Sequence, residues 1–176
     1  MTKKILLALL FISSIAFSQE NDANVKEVTI LHWNDFHSRN MPYRITKKDS
    51  IKGDSTYYIG GTSSMLGYLN KFRNANSLVL NGGDDFQGSP ISSLTKGKSQ
   101  IELLNLYGLD AFAVGNHEFD YGELHLDSLL REANFDVLSG NVFLKSLQRT
   151  IGKPWVTKIV NGVKFGVIGL TALDLM

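Results

Sequence analysis

The apolar positions of the chain fall into short β-rich runs separated by stretches with helical spacing. Val28 to Trp33 (VTILHW) is β-branched and apolar and stops at Asn34-Asp35, the pattern of a buried strand with a turn at its carboxyl end. Ser77 to Leu80, Ala111 to Val114 and Val137 to Ser139 repeat that pattern, the first two being broken by Asn81-Gly82-Gly83 and Gly115-Asn116. Between them the spacing predicts three helices. One runs from about Ser63 to Arg73, with Met65, Leu66, Leu69 and Phe72 on one face. The second covers Ser99 to Tyr107 and carries Ile101, Leu103, Leu104 and Leu106, and the third covers Glu123 to Ala133. Tyr57 to Ile59 reads as a short strand, and the charged segment Lys47 to Ser55 as a surface loop. Val156–Val160 and Val163–Leu170 flank Asn161-Gly162, a strong hairpin signal. Alternating strands and helices predict an α/β fold, and the antiparallel pair makes it a mixed β-sheet with flanking helices.

Composition narrows the class. The chain has 176 residues, 43% hydrophobic and 20% charged, with 16 Gly and 3 Pro, which excludes collagen-like and disordered proteins and allows one domain with a real core. A formal net charge of +1 gives no electrostatic reason for a nucleic-acid polymer or an anionic lipid surface as partner. With no cysteine, disulfides, thiolate metal sites and a Cys nucleophile are excluded. Residues 1–18 read as a signal peptide: Lys3 and Lys4 precede an apolar stretch from Ile5 to Phe17, and Ala16 and Ser18 offer the small residues that a signal peptidase reads. Residues 19–27 form a polar lead-in. No second apolar segment of spanning length follows, so the expectation is an exported protein, periplasmic or extracellular, with no membrane span after signal removal. The run of strands ends close to Met176 with nothing to cover the last one, which predicts that the domain over 28–176 is incomplete.

Polar residues crowd the ends of three of the predicted strands. These are Asn34-Asp35-Phe36-His37, Gly83-Asp84-Asp85-Phe86 and Gly115-Asn116-His117-Glu118-Phe119-Asp120. In open α/β sheets, ligands bind beyond the carboxyl ends of the strands. Asp35 and His37, two apart across a turn, can bind one ion together. Asp84, after a Gly pair, can bridge two cations, and Asn116 can add an amide oxygen to the second. Two such cations clamp a phosphate and activate a water. Each residue has an ordinary reading too, because Asp and Asn after a strand are favoured turn formers. Three coincidences at successive strands favour the metal reading.

The same residues spell a family. Leu31–Arg39 (LHWNDFHSR), Leu80–Ser89 (LNGGDDFQGS) and Ala113–Gly122 (AVGNHEFDYG) resemble the exported 5′-nucleotidase branch of the calcineurin-like metallophosphoesterases, over most of the chain from Val28. The resemblance implies a layered α/β sandwich and two divalent metal ions. Mixed nitrogen and oxygen donors suit Mn, Zn, Fe or Co. It implies Asp35 and His37 as ligands of one metal, Asp84 as the bridging carboxylate and Asn116 as a ligand of the second. His117 would be the catalytic histidine and Asp120 its orienting carboxylate, and a carboxylate on one ring nitrogen does fix the tautomer of a histidine. Asp120 reads equally as the cap of the following helix. His32 reads as a satisfied core histidine, His125 as a surface residue, and Arg39, Asp85 and Glu118 as groups able to tune the metals from behind.

The family's later Gly-His-x-His motif does not occur before Met176, and the four histidines are His32, His37, His117 and His125. The chain is therefore expected to be the amino-terminal half of the catalytic domain, from a truncated or incomplete gene product. The expected function is hydrolysis of nucleotide phosphate monoesters. The alternatives are an inactive exported remnant, a portion completed by a second chain, and a hydrolase of nucleotide diphosphates, cyclic nucleotides or sulfur esters on the same scaffold.

Overall fold

A computed structural model of the chain describes residues 25–172, so the signal-like segment 1–18 and most of the lead-in 19–27 lie outside the described residues. Strand β1 (Thr29–Trp33) is followed by a hairpin, β2 (Tyr43–Lys47) and β3 (Ser55–Ile59), and by helix α1 (Gly61–Phe72). Strand β4 (Ser77–Asn81) leads to α2 (Pro90–Thr95) and α3 (Lys98–Tyr107). Strand β5 (Ala111–Ala113) leads through a 3-10 helix, His117–Tyr121, to α4 (Glu123–Leu130) and β6 (Asp136–Leu138). A small ribbon, β7 (Phe143–Leu144) with β8 (Arg149–Thr150), precedes the hairpin of β9 (Trp155–Val160) and β10 (Val163–Ile168).

Strands β1, β4, β5 and β6 form one sheet in that order, parallel throughout, because a helix crosses between each consecutive pair. All four therefore end on the same side. One face of the sheet meets the helices: Leu69 of α1, Ile101 and Leu104 of α3 and Leu126 and Leu129 of α4 enclose Val79, Phe112 and Val114. The other face is covered by the second hairpin, whose Val156 and Val167 pack on Leu80, Ala111 and Leu138. The result is a helix, sheet and hairpin sandwich.

The antiparallel pair forms its own two-stranded sheet, so parallel and antiparallel pairing occupy separate layers. Asn161 and Gly162 both have positive φ, 50° and 70°, and the register Val163↔Val160 makes them a two-residue loop of the primed type. Asp136 at the start of β6 ties this hairpin down, accepting from Lys153 at 2.6 Å and from Lys158 of β9 at 2.8 Å.

Several local expectations are corrected. Lys47 and Ser55 are not loop residues but a paired end of the β2–β3 hairpin, in register Lys47↔Ser55. Both of its strands are exposed almost throughout, so neither carries the alternation that marks a strand. Leu106 and Phe72, expected on buried helix faces, are largely exposed. His32, expected in the core, is exposed on the side of β1 that faces away from the helices and lines a cavity of about 330 Å³ with Leu80 and Ala111.

Candidate functional site

The loops that leave β1, β4 and β5 meet at the carboxyl edge of the parallel sheet. The first two stay joined beyond the strands. Gly82 donates its N–H to Trp33 at 2.8 Å, Asp35 donates to Gly83 at 3.0 Å and His37 donates to Asp84 at 3.0 Å. This pairing forces unusual backbone. Asp35, His37, Ser38 and Asp84 all have positive φ, at 53°, 50°, 45° and 60°. Such conformations cost about 1–3 kcal/mol each and cluster where function needs a side chain aimed against local preference.

The strained residues aim their side chains at one another. Asp35, His37 and Asp84 each offer one donor atom, and the three atoms lie within 4.8 Å of one another. His37 Nε2 stands 3.6 Å from the Asp35 carboxylate. His37 Nδ1 lies 3.2 Å from the carbonyl oxygen of Gln87, which can only accept. Nδ1 therefore donates, which turns Nε2 toward the carboxylates, the orientation that a metal ligand needs. Two carboxylates and an imidazole form a donor set that suits a divalent transition metal.

Asn116 abuts Asp84 on the other side. With its amide nitrogen turned that way it donates to both carboxylate oxygens, at 3.1 and 3.3 Å. With its oxygen turned that way, the contact needs a cation between the two groups.

His117 closes the site. Its ring lies 5.0 Å from that of His37, centroid to centroid, and its Nδ1 is 3.0 Å from Asp120 Oδ2. The 3-10 helix makes this pair, since residues three apart eclipse in that geometry. The hydrogen bond to Asp120 raises the His117 pKa against the opposing effect of burial, and the charges of Asp120 and Asp84 add to it. Asp120 does not cap α4, whose N-cap is Gly122 with no side-chain cap bond.

Asp85 and Glu118, expected to tune the metals from behind, are buried beneath the site. Asp85 lies under the site, receiving Asn81 Nδ2, and burial pushes its carboxyl well up, with the charge of Glu118 as the next cause. Glu118 accepts four backbone N–H groups; even so, burial outweighs them and raises its pKa to about 6. The signal in the sequence was weak, because acids beside a turn are usually solvated. Each is followed directly by Phe, at Phe86 and Phe119, and these pack in or against the core. Arg39 lines a separate cavity of about 630 Å³ with Met41, Tyr43, Pro90 and Ile91. His125 lies away from the metal-type residues and bonds the Lys96 carbonyl at 2.8 Å.

No family model matches the chain. A snake venom 5′-nucleotidase from Gloydius brevicauda is 40% identical over 84% of the chain and 26% of its own length. The chain belongs to the 5′-nucleotidase family. Among solved structures, a 5′-nucleotidase precursor from Thermus thermophilus superposes with a TM-score of 0.72 at 30% identity, covering 84% of the chain and 29% of that protein. The Haemophilus influenzae NAD nucleotidase has the same TM-score at 34% identity, covering 84% and 26%. The chain thus spans 26–29% of the length of these similar proteins.

Proposed function

We propose that this chain carries part of the active site of an exported, metal-dependent phosphomonoesterase of 5′-nucleotidase type, acting on nucleotides. The observation that carries the reading is the convergence of Asp35, His37 and Asp84 beside the His117–Asp120 pair. Asp35 and His37 would hold one divalent ion, Asp84 would be shared between it and a second, and Asn116 would offer its amide oxygen to that second ion. The ions are of the Mn, Zn, Fe or Co type. When bound they neutralise the phosphate and supply an activated water. Asp120 accepts the Nδ1 proton of His117, which leaves Nε2 of the imidazolium to donate to the oxygen that leaves phosphorus. The raised pKa of His117 keeps that proton available. Residues 1–18 direct export, and 28–176 form the amino-terminal part of the catalytic domain, with further ligands coming from outside this stretch.

In a whole enzyme that contains this stretch, His117→Ala should lower the release of phosphate from a nucleoside 5′-monophosphate by orders of magnitude while metal content stays unchanged. Undiminished turnover refutes the role of His117; loss of metal as well would make it a ligand instead. A second reading, cleavage of a nucleotide diphosphate bond, is supported by the likeness to the Haemophilus NAD nucleotidase. Offering the same enzyme a dinucleotide beside a monophosphate separates the two.

A further inference from the structure

The loops that leave β4 and β5 carry Asp84 on one side and Asn116 and His117 on the other. The last ladder pair between these strands is Asn81↔Phe112. Beyond it, among the described residues, no backbone-to-backbone hydrogen bond joins the two loops, whereas the loops after β1 and β4 share several. Side chains make the join instead. Glu118 Oε2 accepts the N–H of Asp84 at 3.0 Å and the N–H of Gly115 at 2.7 Å, one from each loop. Its Oε1 accepts the N–H of Asp85 at 2.8 Å and that of Phe86 at 3.3 Å. In return Asp84 Oδ1 accepts the N–H of His117 at 2.9 Å. Glu118 is 1% exposed, so water does not compete for these bonds.

We propose that Glu118 is a positioning residue, a buried brace that holds Asp84 in register with Asn116 and His117. The inference rests on the metal-site reading above. It follows from counting acceptors: four N–H donors in two loops converge on one carboxylate, and no backbone carbonyl replaces it. Without the brace, the Asp84 loop keeps its bonds to the β1 loop but loses three N–H acceptors and its tie to Gly115. Asp84 would then follow Asp35 and His37, held to the β5 loop only by the His117 N–H, and drift from Asn116 and His117. Gln at this position keeps the volume but offers one acceptor oxygen and turns an NH2 group toward two of the donors. Asp keeps both oxygens but is one methylene short.

The test is titration of a whole enzyme that contains this stretch with Mn2+ alone, free ion being followed by its electron paramagnetic resonance, on wild type, Glu118→Gln and Glu118→Asp. Circular dichroism reports whether each remains folded. Expected is a 10- to 100-fold weaker Mn2+ affinity for Glu118→Gln at unchanged secondary structure, on the order found when groups behind metal ligands are removed, with Glu118→Asp between the two. Equal affinity of wild type and Glu118→Gln overturns the proposal, even if the unfolding midpoint falls, since that is what a merely structural role gives. No binding by wild type overturns the metal reading itself, a separate result. Should Glu118→Gln fail to fold, amide exchange in wild type decides. Common, slow exchange of Asp84, Asp85, Phe86 and Gly115 supports the brace, and exchange at open-turn rates overturns it.

Discussion

Gly83 is one of the close-packed points of the site, and replacing it by alanine tests whether the metal-type residues depend on the close approach of two loops. Its φ is +91°, where a side chain is strained by about 1–2 kcal/mol. A Cβ there would also lie 2.5 Å from the Gly115 nitrogen and 2.6 Å from the Ala113 oxygen. Both are backbone atoms at the end of β5 and cannot swing aside as a side chain would, so overpacking adds about 1–3 kcal/mol. Gly83→Ala should therefore lose roughly 2–5 kcal/mol in urea unfolding followed by Trp fluorescence, a large share of the total for a domain of this size. Gly53 supplies the control. It too has positive φ, +79°, but nothing lies within 4 Å of its would-be Cβ, so Gly53→Ala should show the conformational part alone. The difference between the two variants isolates the steric part. The Gly83 carbonyl also receives the Asp35 N–H, so Mn2+ affinity should fall with stability in Gly83→Ala and stay unchanged in Gly53→Ala. Equal losses of stability in the two variants would refute the close-packing argument.

Other outcomes follow from the same structure. Mn2+ at about 100 times its Kd should stabilise the chain by about 2.7 kcal/mol, and chelation should reverse the rise in melting temperature. Asp35→Asn should abolish most of that shift; an unchanged shift would place the ion elsewhere. Phe112, fully buried between the sheet and the helices with Phe135 5.8 Å away, should cost about 3–5 kcal/mol when replaced by Ala, read as a fall in the urea midpoint. The hydrogen bonds from Lys153 and Lys158 lower the Asp136 pKa. A lowered folded value means that its contribution is present above the unfolded value, near 4, and is lost as pH falls through the folded one. Wild type should thus exceed Asp136→Asn by about 0.5–1 kcal/mol at neutral pH, with the two stabilities converging below pH 4. A gap that persists at low pH would show that the ion pairs are not its source.

Much of the molecule was legible in the amino-acid order alone. The strands of the parallel sheet are short, mainly apolar runs, and the turn residues that follow β1, β4 and β5 mark their carboxyl ends. Parallel pairing then puts Asp35, Asp84 and Asn116 at one edge, so the metal-type residues could be named before any geometry was known. The Asn161-Gly162 hairpin was equally local, since two positive φ values in a row select those two residues. Tertiary structure decided what depends on partners distant in the chain. The β2 strand exists only through its pairing with β3, and the antiparallel hairpin became a separate layer because it packs on the sheet face rather than extending its edge. The fates of the acids and of His32 were not local either. A Glu beside a turn is ordinarily solvated, and only four N–H groups converging from two loops make burial of Glu118 possible. Likewise His32 sits in an apolar run, yet the described residues leave its face of β1 open, and burial is a property of what packs there rather than of the strand itself.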